Sequence, residues 1–313
     1  MFWDKDSKKT FLIINSYFIG DILLVSPLIQ NIKRLYPDSE VIMVTSEGLQ
    51  DIARYQQGVD RVVVWDRKGK DKGIPGMFRF INRLHSKIYA AIPIYGMDRP
   101  LVLSAMTGAK YILAPKRNNI ISLLLRKSKY PVEINNASIQ ELNMSLLSGI
   151  TKEELINVPM VYNLPEIESR FDIPEPYIVL NPTSTRVTKA IPIDVTKELI
   201  AKLEYKVVLI GKSNFVTEYS EILSKENYPN LIDLSNKTTL LEAAQIIQNA
   251  RGMISSDSGF MHMACALKTP VVVPFYETNT APFKPDEKIY RAKVLSENQT
   301  ADNMISAIKS LID

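Results

Sequence analysis

Residues 252–274 read GMISSDSGFMHMACALKTPVVVP, and their pattern decides the class of fold. Gly252 to Ser255 is a short apolar run, a polar turn follows, Gly259 to Leu267 reads as a helix, and Pro270 to Pro274 is a second apolar run rich in valine. Strand, turn, helix and strand in that order form a unit whose two strands lie parallel. The same alternation extends toward both ends of the chain. Tyr177 to Asn181 and Lys206 to Ile210 are predicted strands, and Ile193 to Leu203, Leu240 to Asn249 and Ala301 to Leu311 are predicted helices.

The first half repeats the rhythm. Thr10 to Asn15 is a predicted strand, and Ile22, Leu23, Ser26, Leu28, Ile29, Ile32 and Leu35 recur at the spacing of one helix. Glu40 to Thr45, Arg61 to Trp65 and Tyr89 to Tyr95 follow as strands, with Gly48 to Tyr55 and Met77 to His85 as helices between them. Four prolines, at 159, 165, 174 and 176, interrupt the pattern and mark a linker. The predicted architecture is therefore α/β, with two Rossmann-like, doubly wound parallel sheets facing across a cleft: residues 1–165 and 166–313, the last helix free to pack back on the first domain.

With 313 residues, 46% hydrophobic and 23% charged, the chain has material for buried cores, and its longest apolar runs are far too short to span a bilayer. The polar N-terminus does not read as a signal peptide. One cysteine, Cys265, excludes an internal disulfide and fits a reducing cytoplasm. Charge is unevenly shared: residues 1–165 carry 22 Lys and Arg against 15 Asp and Glu, and residues 166–313 carry 16 against 19. The basic half suits an anionic partner, although scattered solvated lysines produce the same bias. Lys110, Lys116, Arg117, Arg126, Lys127 and Lys129 flank the apolar run from Ile120 to Leu125, a pattern suited to peripheral contact with a membrane surface or to a solvated basic helix.

The turn at Asp257-Ser258-Gly259 opens a helix, where free N–H groups and the positive end of the helix dipole favour a phosphate. Asp257 is suited either to cap that helix or to accept a hydrogen bond from a ligand hydroxyl, and His262, one turn in, can donate to a phosphate oxygen. The local physics also fits a capped helix with a buried histidine. No cluster has metal-ligand spacing: Asp4-Lys5-Asp6 lies in the polar tail, His85 has no partner nearby in sequence, and Cys265 reads as a small buried helix residue.

The stretch from Asp257 to Pro270 resembles the nucleotide-binding signature D-[ST]-G-x-x-H-x-A-[AG]-A-L-x-x-P of glycosyltransferase family 9, the lipopolysaccharide heptosyltransferases of the GT-B fold. Gly20-Asp21-Ile22, with Pro27, is similar to that family's G-D-x-[LIV]-x-x-x-P loop, and Asn181 to Pro192 to its P-[GT]-[AS]…K-x-W-P loop. Asp233 to Glu242 is similar to its D-L-x-G-K-T-[ST]-L-x-E stretch. The resemblance implies Asp21 as general base and Gly20 and Arg99 on the acceptor side. It implies Thr183, Ser184, Lys189, Asp257, Ser258, Gly259 and His262 around the donor. It also implies an inverting transfer without metal or cofactor, from a nucleotide-sugar donor, ADP-heptose in the family, to an anionic glycolipid or glycan acceptor such as the lipopolysaccharide core. The expected place is the cytoplasm, at the inner face of a bacterial inner membrane, and no nucleic acid is an expected partner.

Departures from the pattern include Ile191 for tryptophan, Asn236 for glycine, and Tyr276-Glu277-Thr278 for Gly-Pro-Thr beside the expected donor site. A nucleotide-sugar 2-epimerase-like isomerase and a non-catalytic sugar-nucleotide-binding protein are the alternatives that share such a site.

Overall fold

The run from Thr10 to Ile14 is buried along its whole length and forms β1, as a strand covered on both faces requires. In the computed structural model, which describes residues 8–115, 128–129, 138–277 and 282–313, the chain divides into two compact units, Met1–Met160 and Val161–Asp313.

In the first unit, β1 pairs in parallel with β2 (Glu40–Thr45) on one side and β4 (Ile88–Pro93) on the other. With β3 (Arg61–Val64), β5 (Tyr111–Leu113) and the two-residue β6 (Ser128–Lys129), the sheet order is β3-β2-β1-β4-β5-β6. The chain reverses direction across the sheet between β1 and β4, so the loops leaving these two strands flank the crevice where such sheets bind ligands. The helices are α1 (Ile19–Leu23), α2 (Ser26–Leu35), α3 (Gln50–Arg54), α4 (Gly73–Asn82), α5 (Asp98–Met106) and α6 (Ile139–Ser145). Leu12, Ile14, Ile42, Val44, Trp65 and Phe80 are fully or almost fully buried in its core.

The single helix expected over Ile22 to Leu35 is two, broken at Leu24 and Val25. Pro27, in the first turn of α2, lacks the N–H of a continuous helix, and its ring would meet the carbonyl of residue 23. The helix expected from Met77 to His85 begins earlier, at Gly73, and ends at Asn82, leaving His85 beyond it with φ of 48°.

In the second unit, β7 (Tyr177–Asn181), β8 (Lys206–Leu209), β9 (Leu231–Asp233), β10 (Gly252–Ser255), β11 (Val271–Pro274) and β12 (Ala292–Leu295) form a parallel sheet of order β12-β11-β10-β7-β8-β9. Its reversal lies between β7 and β10. The helices are α7 (Ile193–Lys202), α8 (Asn214–Leu223), α9 (Leu240–Asn249), α10 (Gly259–Ala266) and α11 (Ala301–Ile312). Met304 and Ile308 of α11 join Ile254 and Val272 in the core of this unit. Gly252 lets α11 approach, since a Cβ there would lie 2.7 Å from the Ile308 side chain.

Two of the departures noted above have structural roles. Ile191 is fully buried in the core of the second unit. Asn236 adopts φ of 59°, the left-handed conformation that glycine tolerates best and asparagine next, and its side chain is tied to Ser213 N and Thr217 Oγ1. Among the described residues no helix is long and apolar enough to cross a membrane.

Candidate active site

The residues expected around a donor gather at the reversal point of the second sheet. Thr183, Ser184 and Lys189 leave β7, while Asp257, Ser258 and Gly259 leave β10. The two loops are sewn together: Ser184 Oγ donates to Asp257 O at 3.0 Å, and Ser256 Oγ donates to Thr183 O at 2.7 Å. Thr183 is thereby almost fully buried.

Of the two roles left open for Asp257, the cap is not the one adopted: Ser258 is the N-cap of α10. Nor does Ser258 cap with its side chain. Its hydroxyl turns away and donates to Asn181 Oδ1 at 2.9 Å. The contrast within the chain is instructive, because Ser138, Ser213, Thr239 and Thr300 each accept a hydrogen bond from a first-turn amide of the helix they open. The N-terminus of α10 is left for another acceptor, and it carries roughly half a positive charge.

The Asp257 carboxylate instead faces Lys189, whose Nζ lies 2.7 Å from Oδ2. At this distance the two charges are paired. His262 stands one turn into α10, 4% exposed, and its Nδ1 has no hydrogen-bond partner among the described residues. Burial, reinforced by the Lys189 charge, brings its pKa down to about 4, so the ring is neutral at physiological pH and offers one N–H donor. Cys265, on the same helix, is buried and its thiol is pushed up to about 12, as an inert core residue requires.

The atypical residues after β11 reach the same loop. Glu277 accepts a hydrogen bond from Thr188 Oγ1 and lies 3.6 Å from Arg186 Nη1, while Tyr276 packs against the core of the unit. Thr278 lies outside the described residues.

In the first unit, Gly20 and Asp21 sit in α1, just beyond β1. Asp21 is 8% exposed. Its Oδ1 accepts from Tyr95 Oη at 2.6 Å, its Oδ2 from Phe18 N at 3.3 Å, and its backbone carbonyl from Asn15 Nδ2 at 2.7 Å. Arg99 is exposed in the first turn of α5, on the segment that leaves β4. Sequence reasoning missed Tyr95, which the strand pattern absorbed into β4, and the loop after β3. There Arg67, Lys68, Lys70 and Lys72 lie beyond the carboxyl end of the sheet, the last three exposed. Four cations in six residues directly after a strand were a visible signal for that loop. Of the basic cluster expected around Ile120 to Leu125, Lys110 stacks over the rings of Tyr89 and Tyr111, whereas Lys116, Arg117, Arg126 and Lys127 lie outside the described residues, as do Asp4 and Asp6.

Comparison with known proteins gives these features a context. Residues 133–308 match the family model described as glycosyltransferase family 9 (heptosyltransferase). Lipopolysaccharide heptosyltransferase 3 of Escherichia coli is 24% identical over 285 residues, covering 86% of this chain and 84% of its own. A family 9 glycosyl transferase from Veillonella parvula superposes with a TM-score of 0.84 at 17% identity, over 97% of both chains. The E. coli heptosyltransferase WaaC solved with ADP superposes at 0.78 and 18%, over 96% of this chain and 99% of that one. Both likenesses show the fold, GT-B, with its two parallel α/β sheets.

Proposed function

Because this chain belongs to glycosyltransferase family 9, the heptosyltransferases, we propose that it moves heptose from ADP-heptose to a sugar hydroxyl of a lipopolysaccharide core. The N-terminus of α10, which has no side-chain cap, with Lys189 and the neutral His262 beside it, whose Nδ1 has no partner among the described residues, is the observation that carries this reading. These are a helix N-terminus, a cation and a neutral N–H donor at one reversal point, arranged for a diphosphate. The adenine and the heptose come from the relatives: WaaC was solved with ADP, and the E. coli relative is a lipopolysaccharide heptosyltransferase.

Asp21 serves as the base. As the acceptor oxygen forms its bond to the anomeric carbon, its proton passes to the Asp21 carboxylate, and the bond from that carbon to the diphosphate oxygen breaks with its electron pair. Attack from the face opposite the nucleotide inverts the anomeric centre. The charge that grows on the leaving diphosphate meets the α10 N-terminus, with Ser258 and Gly259, and Lys189, so the transfer needs no metal. Thr183 and Ser184 shape the loop beneath the phosphates, and Asp257 holds Lys189 and orients it. Gly20, Arg99 and the basic residues Arg67, Lys68, Lys70 and Lys72 receive the anionic acceptor. The reaction takes place on the cytoplasmic side, against the inner face of a bacterial membrane that presents the glycolipid.

A thermal-shift screen of ADP, UDP, GDP and CDP tests the donor assignment, because a ligand that binds only the folded chain raises the melting midpoint. ADP is expected to give the largest shift. A larger shift with another nucleotide, or none with any, contradicts the reading.

A further inference from the structure

The base proposed above has a partner that the reaction scheme leaves unused. Asp21 follows β1 and Tyr95 follows β4, the two strands on either side of the first sheet's reversal, and 74 residues apart in sequence they meet through a 2.6 Å hydrogen bond from Tyr95 Oη to Asp21 Oδ1. That length belongs to the short, charge-assisted class of hydroxyl-to-carboxylate bonds.

The backbone is bent to make this contact. Tyr95 has φ of 66° and ψ of −3°, a left-handed conformation that a bulky aromatic residue adopts only when its surroundings impose it. Gly96 follows with φ of 55°, where a Cβ would come within 3.2 Å of Pro115 O. The Tyr95 ring stands edge-on to Tyr17, centroids 5.7 Å apart. Burial first, and then the neighbouring Asp21 charge, raise the Tyr95 hydroxyl far above its ordinary pKa, so it stays protonated and remains a donor. Among the described residues, Tyr17 in the loop of Asp21 stands beside this pair, and Arg67 after β3 beyond it, its guanidinium 5.8 Å from the Tyr17 ring centre and donating to Ser16 O.

We propose that Tyr95 is a positioning residue for the transfer, its hydroxyl holding the Asp21 carboxylate ionised and in one orientation for the acceptor proton. The inference rests on the assignment of Asp21 as base. A hydrogen bond donated to a carboxylate favours its charged form, so removal of the Tyr95 hydroxyl is expected to shift the pH at which the base is ready upward.

The test is Tyr95→Phe, which removes one oxygen and keeps the ring. The Asp21 carboxyl carbon is followed by ¹³C NMR through a pH titration, its signal identified by its loss in Asp21→Asn. Transfer is measured in parallel with ADP-heptose and a truncated-core lipopolysaccharide. In Tyr95→Phe the titration midpoint and the acidic limb of the kcat profile move up together by about one unit, and kcat falls by about tenfold or more with KM within about twofold. Incorporation of 3-fluorotyrosine at position 95, a stronger donor of nearly the same shape, moves the midpoint downward and guards against a folding defect in the phenylalanine variant. An unmoved titration, or a moved one with wild-type kcat, overturns the inference. If Asp21→Asn is inactive while Tyr95→Phe behaves as wild type, only the role of Tyr95 falls; if Asp21→Asn transfers normally, the base assignment itself falls.

Discussion

The ammonium of Lys189, on the loop after β7, stands 2.7 Å from Oδ2 of Asp257, on the loop after β10, with side-chain exposures of 15% and 7%. A cation is thus held beside the N-terminus of α10, the preorganisation that the proposed transfer calls on to stabilise its charged leaving group at little cost at the moment of reaction.

Lys189→Met keeps the stem and removes the charge. The expected result is a loss of ADP affinity of about ten- to a hundredfold by titration calorimetry, about 1.4 to 2.7 kcal/mol. Stability falls too, by up to about 3 kcal/mol, because Asp257 is left nearly buried without its cation. Unchanged ADP affinity would remove Lys189 from the phosphate site.

His262 sets a pH dependence of stability. Its pKa is about 4 in the folded chain, against 6.5 for the unperturbed group, so between these values the unfolded chain binds more protons. Stability from this residue is complete above about pH 6.5, falls as pH drops through that window, and is lost by about pH 4, to the extent of roughly 3 kcal/mol. His262→Gln should flatten that part of the stability curve in urea titrations at pH 7, 6, 5 and 4. A variant that loses as much stability as the wild type over the range contradicts a neutral buried histidine.

Glu277 ties the segment after β11 to Thr188 and Arg186, next to Lys189. Glu277→Ala should change global stability by no more than about 1 kcal/mol, since Arg186 is largely exposed. It should raise the KM for ADP-heptose several-fold by loosening the Lys189 loop, with the KM for acceptor unchanged. Equal effects on both would place Glu277 elsewhere in the mechanism.

The left-handed turn at Asn236 gives a test confined to the fold. Asn236→Ala should cost about 1 to 2 kcal/mol, and Asn236→Gly less, because glycine bears the positive φ without strain. Chemical denaturation of the two variants ranks them, and alanine at least as stable as glycine would contradict the assigned conformation.

Much of the fold was legible because parallel strands buried on both faces are written as continuous apolar runs: β7, β10 and β11 are each buried throughout. The helix Leu240–Asn249 was legible to its ends, with Thr239 and Glu242 forming a capping box. The helix Asn214–Leu223 escaped because Phe215, Val216, Thr217 and Tyr219 blur a helical period, and only the Ser213 cap signals its start. The residues proposed for the donor were named from one local motif and its two companions. Their mutual arrangement was not legible there, since Lys189 and Asp257 meet through a sheet that brings distant loops together. Tyr95 was the least legible of all. A turn with positive φ is ordinarily announced by glycine, asparagine or aspartate, and a tyrosine at the end of an apolar run reads as one more strand residue.

The most direct measurement is mass-spectrometric detection of heptose addition to truncated-core lipopolysaccharide, with ADP-heptose as donor, for the wild type and for Asp21→Asn. The wild type should add a heptosyl unit, and Asp21→Asn should add none while still binding ADP with wild-type affinity. Transfer by Asp21→Asn at the wild-type rate would contradict the assignment of Asp21 as the base.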